Sequence, residues 1–180
     1  MKKKRKSIVT INASPLKKGT VDKLLTIFEK EAGKQVTIIR VNLYDYAFFP
    51  HDGNLMRKPL WYPFIKDMEE ADSIVIATPT YWFNIPGQLK NFIDMLTEHI
   101  DWDNNSVLLE GKKLGIIAVS PGGGATNILE NLALTLNTMG MIIPSYALMF
   151  FGSQDQPDNP NGWQKKNIKE LAQRLRRFEP

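Results

Sequence analysis

Short apolar runs alternate with helical patterns along this 180-residue chain, and this alternation constrains the fold more than any other feature. The apolar runs, which have the length and β-branched content of strands, are Ser7–Ile11, Val36–Val41, Ser73–Ala77, Leu114–Val119 and Met141–Leu148. The predicted helices are Thr20–Ala32, Trp61–Ala71, Gly87–Ile100, Thr126–Thr138 and Gln164–Phe178. Strict alternation implies right-handed crossovers, which build a parallel sheet covered by helices on both faces. We therefore predict a doubly wound α/β fold.

Five strands and five helices in this order fit the flavodoxin-like form of that fold, a five-stranded parallel sheet with helices on both faces. Ligands of such sheets bind beyond the carboxyl ends of the strands. The length and the hydrophobic content of 43% suffice for one domain with a sizeable core. We therefore expect a single domain over residues 7–180, preceded by a basic tail at residues 1–6.

The formal net charge of +4 suggests at first a nucleic-acid partner. Five positive charges lie in Lys2–Lys6, however, and without them 18 basic residues face 19 acidic ones. A folded part with a net charge of −1 offers no broad basic face to a phosphate backbone. We expect no nucleic-acid partner, and we interpret the tail as solvated rather than as a nuclear-import or polyanion-binding patch.

The sequence contains no cysteine, which excludes a disulfide, a thiolate-ligated iron–sulfur cluster and a cysteine nucleophile. His51 and His99 are the two histidines and lie far apart, so we expect no metal site, and we expect His99 to favour a helix C-terminus. Asp101, Asp103 and Asn105 copy the start of a calcium loop but lack its glycine. No run approaches the ~20 apolar residues of a membrane span. We expect a cytoplasmic protein without a membrane partner.

The segment Ile76–Leu96 joins the third predicted strand to a helix through a loop rich in aromatic residues. Pro79 lacks an N–H group and ends the strand ladder, and Pro86-Gly87 leads into the helix. The loop residues between these prolines are Thr80, Tyr81, Trp82, Phe83 and Asn84. Three consecutive aromatic side chains cannot all enter one core, so at least one lines a ligand pocket or a subunit contact.

The first predicted strand leads into a loop of small, hydroxylated and basic residues that ends at a helix. Its candidate anion-binding residues are Ser14, Lys17, Lys18, Gly19 and Thr20. N–H groups and the macrodipole at a helix N-terminus favour an anion, so a phosphate would sit well there. Ordinary capping is the alternative, with Ser14 in a turn and Thr20 as the N-cap.

A third loop follows the fourth predicted strand and precedes a helix. It consists of Ser120, Pro121, Gly122, Gly123 and Gly124. Three glycines let the backbone approach a ligand and direct N–H groups at it, where a side chain would hold the ligand away. A glycine-rich turn without a ligand is the alternative interpretation.

These loops resemble those of one family, the NAD(P)H-dependent FMN reductases and multimeric flavodoxin-like quinone reductases. The stretch Pro79–Asp94 closely resembles the second flavin loop of that family and the helix after it. The third loop, followed by Gly140–Pro144, resembles the third flavin loop and the fifth strand. The resemblance covers nearly the whole chain, from Ile8 to about Gly152.

The first loop follows the family pattern with two departures. Ser14, Pro15, Lys17 and Gly19 match that pattern. Leu16 stands where the family commonly has arginine, and Thr20-Val21 replaces Asn-Thr. One cation and one hydroxyl group are therefore missing, and either the phosphate binds more weakly or Lys17 and Lys18 compensate. Many relatives also carry cysteines, some of which ligate iron–sulfur clusters, and that chemistry is excluded here.

The resemblance implies FMN as cofactor and NAD(P)H as electron donor, and the absence of a Gly-x-Gly-x-x-Gly pattern favours FMN over FAD. A nicotinamide would pass hydride to the flavin, and a quinone, nitro compound, flavin or other small-molecule acceptor would then take its place. The first loop would hold the phosphate, and the face of the flavin ring would be shaped by Tyr81, Trp82 and Phe83. Thr80 and Asn84 would form hydrogen bonds with the edge of the ring. Gly122–Gly124 would stabilise the negative charge that develops near N1 and O2 of the ring on reduction. No side chain is required as acid or base, so we name no catalytic residue.

The resemblance also implies a homodimer in which a neighbouring subunit walls the flavin. Two other functions stay open on the same fold. One is an electron-transfer flavodoxin, which the nearly neutral charge disfavours, since such carriers generally present an acidic face. The other is a flavin-free phosphate- or nucleotide-binding regulatory module, which would stay colourless after incubation with FMN.

Overall fold

The computed structural model describes residues 5–50, 52–53, 62–101, 106–152, 155 and 159–177. Five strands form one parallel sheet: β1 (Ser7–Asn12), β2 (Thr37–Asn42), β3 (Ser73–Pro79), β4 (Lys113–Val119) and β5 (Leu148–Phe151). Their order across the sheet is β2-β1-β3-β4-β5. The helices are α1 (Thr20–Ala32), α2 (Pro63–Glu70), α3 (Gly87–Met95), α4 (Ala125–Thr138) and α5 (Gly162–Arg177). This strand order confirms the flavodoxin-like prediction.

The central strand β3 is buried on both faces, as its uninterrupted apolar run predicts. Successive side chains of a strand point to opposite faces. Ile74 and Ile76 accordingly enter one core, under α2, α3 and α4, and Val75 and Ala77 enter the other, under α1 and α5. The sheet therefore has a hydrophobic core on each side.

Gly115 lets α5 pack closely against the middle of the sheet. A Cβ atom at Gly115 would lie 3.0 Å from Leu171 Cδ1, 3.2 Å from Leu175 Cδ1 and 3.3 Å from Val75 Cγ2. The Ser73 hydroxyl also donates to the Leu175 carbonyl over 3.2 Å. A larger residue at position 115 would push the helix away from β3 and β4.

The fifth strand lies later in the chain than predicted, so the prediction of Met141–Leu148 is wrong. Ile142 makes only an isolated bridge to Lys113, and Pro144 has no N–H group to donate to a ladder. Tyr146 then has a φ of 62°, in the left-handed region, and the Ala147 N–H donates to the Pro144 carbonyl over 3.2 Å. A turn therefore interrupts the apolar run, and pairing with β4 resumes only at Leu148.

The third helix is shorter than the predicted Gly87–Ile100. It ends at Met95, and a 3-10 helix, Leu96–His99, continues the chain. Ile100–Asp101 then pairs antiparallel with Ser106–Val107. His99 occupies the last turn of the 3-10 helix, where we expected a histidine. The first helix has the predicted bounds, and the other predicted elements differ from the structure by one or two residues at an end. Trp61 and Phe178 lie outside the described residues.

A further 3-10 helix, Leu43–Asp45, follows β2. In the part of the chain that the structure describes, no helix has the length and apolar content needed to cross a membrane.

Candidate functional site

The three candidate loops leave neighbouring strands, because β1, β3 and β4 are adjacent in the sheet. Backbone hydrogen bonds extend the ladder into the loops. The Ala13 N–H donates to the Ala77 carbonyl, and the Thr80 N–H donates to the Val119 carbonyl, each over 2.8 Å. The loops therefore meet at one edge of the sheet, at the carboxyl ends of the strands.

The first loop is held by its own side chains. The Asn12 side-chain oxygen accepts the Ser14 N–H over 3.0 Å, and the Ser14 hydroxyl accepts the Leu16 N–H over 3.1 Å. Ser14 is only 3% exposed, so the bond to Asn12 is buried and the bond from Leu16 is partly buried. The part of the capping alternative that places Ser14 in a turn therefore agrees with the structure.

The N-terminus of α1 faces this loop. Gly19, not Thr20, is the N-cap residue, and among the described residues no side chain caps the helix. The capping alternative was thus wrong about Thr20. The N–H groups of the first turn have no intrahelical acceptors, and together with the helix dipole they form a site suited to an anion.

The two lysines of the first loop differ in their surroundings. Lys17 Nζ lies 3.7 Å from Asp45 Oδ1 and 5.0 Å from the centre of the Tyr44 ring, so its charge is directed towards the chain after β2. Its side chain is 71% exposed. Lys18 has a φ of 56°, which places its backbone in the left-handed region. Lys17 therefore already has a carboxylate partner.

Tyr81–Asn84 forms a tight turn, which we call the aromatic hairpin. The N–H of Tyr81 donates to the Asn84 carbonyl over 2.9 Å, and the N–H of Asn84 donates to the Tyr81 carbonyl over 3.0 Å. Trp82 and Phe83, at the two central positions, have φ values of 49° and 60°. Two positive φ values are typical of a type I′ turn, which normally takes Asn and Gly. Each such residue costs about 1–3 kcal/mol of backbone strain.

The aromatic side chains of this hairpin are exposed to solvent. Trp82 is 95% exposed, Phe83 59% and Tyr81 43%. The side chains on either side hold the turn in place, since the Thr80 hydroxyl donates to the Val119 carbonyl over 3.3 Å and the Asn84 side-chain oxygen accepts the Ile85 N–H over 2.8 Å. The aromatic hairpin therefore combines a strained backbone with apolar rings that are exposed to solvent.

The third loop packs against the aromatic hairpin. The Ser120 hydroxyl donates to the Gly123 carbonyl, and the Gly123 N–H donates back to the Ser120 carbonyl over 3.4 Å. Gly123 and Gly124 have φ values of 97° and 87°. A Cβ atom at Gly124 would lie 2.7 Å from Phe83 Cα, which is too close for any side chain. Gly124 therefore makes room for Phe83 rather than for a ligand.

The remaining glycines of this loop have different roles. Around a Cβ atom at Gly122, no atom of the described residues lies within 4 Å, so this position faces open space. At Gly123 the nearest atom would be Phe83 Cε1, at 3.4 Å. We expected the three glycines to let backbone N–H groups approach a ligand, which stays a prediction; the N–H of Gly123 itself donates to the Ser120 carbonyl.

A cleft of about 160 Å³ lies between the aromatic loop Thr80–Asn84, which is the second of the three candidate loops, and the third loop. Its lining residues are Thr80, Trp82, Phe83, Pro121, Gly122 and Gly123. The structure thus brings two of the three predicted loops together around one cavity, with the first loop beside them on β1. A cleft with an aromatic side and a glycine side can receive a flat ring.

The sequence interpretation gave no role to two asparagines at the carboxyl ends of β1 and β2. Asn12 and Asn42 are register partners. Within the described part of the chain, Asn12 Nδ2 and Asn42 Oδ1 are buried without a hydrogen-bond partner. Buried polar atoms are normally paired, so these two indicate a water or a ligand group beside the first loop. A polar residue at the end of an otherwise apolar strand is the only sequence feature that points to them.

The connection after β2 was also missed by the sequence interpretation. The Gln88 side chain donates to the carbonyls of Leu43 and Tyr46, the latter over 3.1 Å, and the Asn91 side chain donates to the Phe48 carbonyl over 3.2 Å. These bonds from α3 fix residues 43–48 next to the first loop. His51, Asp103 and Asn105, considered above as metal ligands, lie outside the described residues.

An all-parallel sheet in this strand order, with three loops meeting at its carboxyl edge, defines a flavodoxin-like protein. The chain belongs to the NADPH-dependent FMN reductase family, whose sequence profile matches residues 7–156.

Three relatives illustrate the sequence similarity. An iron–sulfur flavoprotein of Archaeoglobus fulgidus is 36% identical over 94 residues, which are 48% of this chain and 47% of that protein. An FMN-dependent NADH:quinone oxidoreductase of Vibrio parahaemolyticus is 35% identical over 80 residues, 42% of this chain and 41% of the relative. A quinone reductase of Escherichia coli is 31% identical over 83 residues, which are 45% of this chain and 43% of that protein. The matches thus span less than half the length of each relative.

Solved structures share the fold over a longer part of the chain. An apo NADH:FMN oxidoreductase aligns with a TM-score of 0.70 and 20% identity, over 95% of this chain and 88% of the other. An FMN-dependent NADH-azoreductase from Bacillus anthracis, solved with FMN, aligns with a TM-score of 0.67 and 20% identity, over 94% and 99%. At this level of identity the likeness concerns the fold.

Proposed function

We propose that this protein binds FMN and acts as an NAD(P)H-dependent oxidoreductase that reduces a quinone or a similar small-molecule acceptor. The observation that carries the proposal is the cleft between the aromatic hairpin and the third loop, which lies at the same sheet edge as the uncapped N-terminus of α1. This arrangement offers a flat apolar cavity and an anion site to one ligand. Membership of the FMN reductase family supports the same conclusion.

The residues at this edge fit FMN. The N-terminus of α1 suits a terminal phosphate, and the buried Asn12 Nδ2 supplies a donor beside it. The cleft lined by Phe83 and Gly122 suits part of a planar ring. FMN, when bound, supplies the hydride-transfer chemistry that these side chains do not provide.

The chain itself binds and orients the ligand in this proposal. The phosphate is held by Ser14, Lys17, Lys18, Gly19 and Thr20, with Lys18 as the loop cation, because Lys17 pairs with Asp45. The ring is placed on one side by Pro79, Thr80, Tyr81, Trp82, Phe83 and Asn84. On the other side it is placed by Ser120, Pro121, Gly122 and Gly123, while Gly124 contributes by making room for Phe83. Ser120 acts by holding the loop closed through its bond to Gly123.

Purified protein, incubated with FMN and freed of excess by gel filtration, tests this proposal. We expect flavin absorption bands at 1:1 stoichiometry and their rapid bleaching by NADH or NADPH under anaerobic conditions, followed by recovery when a quinone is added. A colourless protein would indicate the flavin-free regulatory module instead. Bound flavin that NAD(P)H bleaches only slowly would indicate an electron carrier.

We also propose a homodimer that closes the flavin site. A cleft of about 160 Å³ is smaller than the ~300–1,000 Å³ of most ligand pockets, so a second wall is needed. Trp82, which is 95% exposed, is placed to contribute to such a contact. Sedimentation of the wild type should give twice the 20.5 kDa chain mass, and Trp82→Ala should shift the equilibrium towards monomer. A wild type that sediments only at the chain mass would contradict the dimer.

The domain limits and the location belong to the same proposal. Residues 7–180 form a single domain and residues 1–6 a basic tail, although the Lys6 carbonyl accepts the Thr37 N–H over 2.8 Å and so extends the β1–β2 ladder. The tail enters β1 at its amino end, opposite the cleft. Deleting residues 2–5 should therefore leave reductase turnover within about twofold of wild type. A cytoplasmic location would give the enzyme its reduced nicotinamide.

A further inference from the structure

The side chain of Arg40, on β2, is fixed by three contacts with α1. Its Nη1 lies 2.6 Å from Asp22 Oδ1, its Nε lies 2.8 Å from Glu29 Oε1, and its Nη2 donates to the Thr26 hydroxyl over 3.2 Å. The Arg40, Asp22 and Glu29 side chains are 21%, 25% and 23% exposed. The Arg40 guanidinium group is therefore partly shielded from solvent and held along one side of α1, from Asp22 in its first turn to Glu29.

Asp22 is the third residue of α1 and lies in its first turn, three positions after the N-cap Gly19. A carboxylate in the first turn stabilises a helix, but it also repels any other anion bound at the same N-terminus. Asp45 adds a second carboxylate nearby, and Lys17 is paired with it at 3.7 Å. Leu16, in addition, occupies the position where the family pattern has a cation. The anion site of this chain therefore needs compensation for the charge of Asp22.

We propose that Arg40 is a positioning residue of the phosphate site, which pairs with Asp22, offsets its charge and so allows the N-terminus of α1 to bind the FMN phosphate. The inference rests on the proposed function, since it concerns how FMN is held. The family pattern has a cation at the position of Leu16. In this proposal Arg40, on β2, supplies a compensating positive charge instead, without touching the ligand.

Glu29, the second carboxylate that contacts Arg40, keeps the guanidinium group against Asp22. Glu29 Oε1, which accepts from Arg40, also accepts the Thr10 hydroxyl over 2.7 Å, and Thr10 is fully buried in β1. Glu29 is thus anchored to the sheet and holds the guanidinium group in place. Arg40 is fixed between Glu29 and Asp22, and its effect on a phosphate is electrostatic.

The phosphate can be isolated experimentally by comparing FMN with riboflavin, which has the same ring and ribityl chain. Flavin fluorescence quenching on apo-protein gives both dissociation constants for wild type, Arg40→Gln, Asp22→Asn and the double variant. We expect Arg40→Gln to weaken FMN binding roughly tenfold and riboflavin binding less than twofold, because a dianion feels the unpaired Asp22 charge. Asp22→Asn should strengthen FMN binding selectively, and the double variant should return close to wild type.

Two further variants control for structure. Arg40→Lys keeps the charge and should retain most of the preference for FMN. Arg174→Gln removes an arginine that pairs with Glu170 at 3.9 Å on α5, and it should change neither constant. Thermal melts identify variants that fail to fold. If Arg40→Gln fails, Asp22→Asn decides the question, since only the electrostatic role predicts tighter FMN binding with unchanged riboflavin binding.

The outcomes separate this inference from the proposed function. If wild type binds neither flavin, the proposed function is wrong and the inference is overturned with it. If wild type binds FMN, but Arg40→Gln weakens both flavins equally or Asp22→Asn leaves the ratio of the two constants unchanged, Arg40 is only structural and this inference alone is overturned.

Discussion

The first loop and the aromatic hairpin lie at the same sheet edge but are stabilised in opposite ways. Ser14 is buried and bonded within its loop, so its own side chains hold the first loop without any ligand, although Asn12 Nδ2 at its base has no partner among the described residues. The hairpin instead holds Trp82 and Phe83 in left-handed conformations with their rings in solvent. Strained backbone and exposed apolar area together lower stability, and they persist where binding uses them. In the proposed function, this contrast corresponds to a preformed anion site beside a ring site that binding completes.

The largest effect should come from the contact that supports the hairpin. Gly124→Ala would place a Cβ atom 2.7 Å from Phe83 Cα at a φ of 87°. Backbone strain and displacement of the hairpin should lower the free energy of unfolding by about 2–4 kcal/mol, or roughly 5–15 °C in melting temperature. FMN and riboflavin should both bind at least tenfold more weakly, because the ring cleft is deformed. Thermal melts and flavin titrations measure the two effects.

Gly122→Ala is the matched control for this variant. Around its Cβ atom no atom of the described residues lies within 4 Å, so stability should stay within about 0.5 kcal/mol of wild type. Equal destabilisation by the two substitutions would show that the contact with Phe83 does not determine the shape of the cleft.

A smaller effect is expected from the first loop. Ser14→Ala removes the acceptor of the Leu16 N–H and leaves that donor without its partner, at a cost of about 1–2 kcal/mol. The loosened loop should bind FMN roughly tenfold more weakly and riboflavin almost unchanged, as measured by fluorescence quenching. Thr138→Ala, which removes a hydroxyl bonded to Leu134 on α4, serves as control. Similar losses for both flavins would mean that Ser14 does not organise a phosphate site.

The strain in the hairpin can be tested more gently with Trp82→Asn. Asparagine tolerates the left-handed region, and Trp82 is 95% exposed in the single chain, so little packing within one subunit is lost. Stability of the separate subunit, measured at concentrations too low for the proposed dimer, should rise by about 0.5–1 kcal/mol, while quinone reduction should fall several-fold. Melting curves and steady-state assays test the two parts of this prediction. A less stable variant would show that the Trp82 ring makes contacts that outweigh its backbone strain.

The smallest effect concerns Tyr44, beside the first loop. Partial burial, with the carboxylates of Asp45 and Asp22, holds the pKa of the Tyr44 phenol above its usual value of about 10, and Arg40 opposes this. The neutral phenol is therefore favoured in the folded state. Its contribution is complete below pH 10 and is lost as the pH rises through the raised pKa of the folded state.

Melting temperatures of wild type and Tyr44→Phe between pH 8 and 11 test this expectation. Their difference should stay constant below pH 10 and then change in favour of the variant. Asp45→Asn should lower the pKa of Tyr44, as seen by ultraviolet titration. A difference that does not depend on pH would contradict a raised pKa.

The fold was predictable from the sequence where the governing interactions are local. The apolar run of β3 and the helical spacing of α1 identify these elements within two residues. β5 was misplaced because apolar content alone does not show that Tyr146 adopts a left-handed φ. The meeting of the three candidate loops followed from the predicted fold, since all three leave neighbouring strands at their carboxyl ends, and their role in binding stays a prediction.

The internal contacts of the site were not predictable, because they join distant parts of the chain. The backbone of Phe83 leaves no room for a side chain at Gly124, and Arg40 pairs with Asp22. Neither contact follows from a local sequence pattern. The type I′ geometry was hidden as well, since Trp and Phe are not the residues that such turns normally contain. Only the carboxyl-edge loops as a group, and not the partners within them, could be assigned from composition and spacing.

Close packing at Gly115 has a consequence for how the protein is made. The face of the sheet that carries Val75 is covered by α5, whose Leu171 and Leu175 come late in synthesis. A nascent chain therefore carries an open apolar surface on β3 and β4 until α5 has left the ribosome, well after the site loops have been synthesised. Chaperones that bind apolar surface would act in this interval, and ribosome stalling before Leu171 would leave an aggregation-prone sheet.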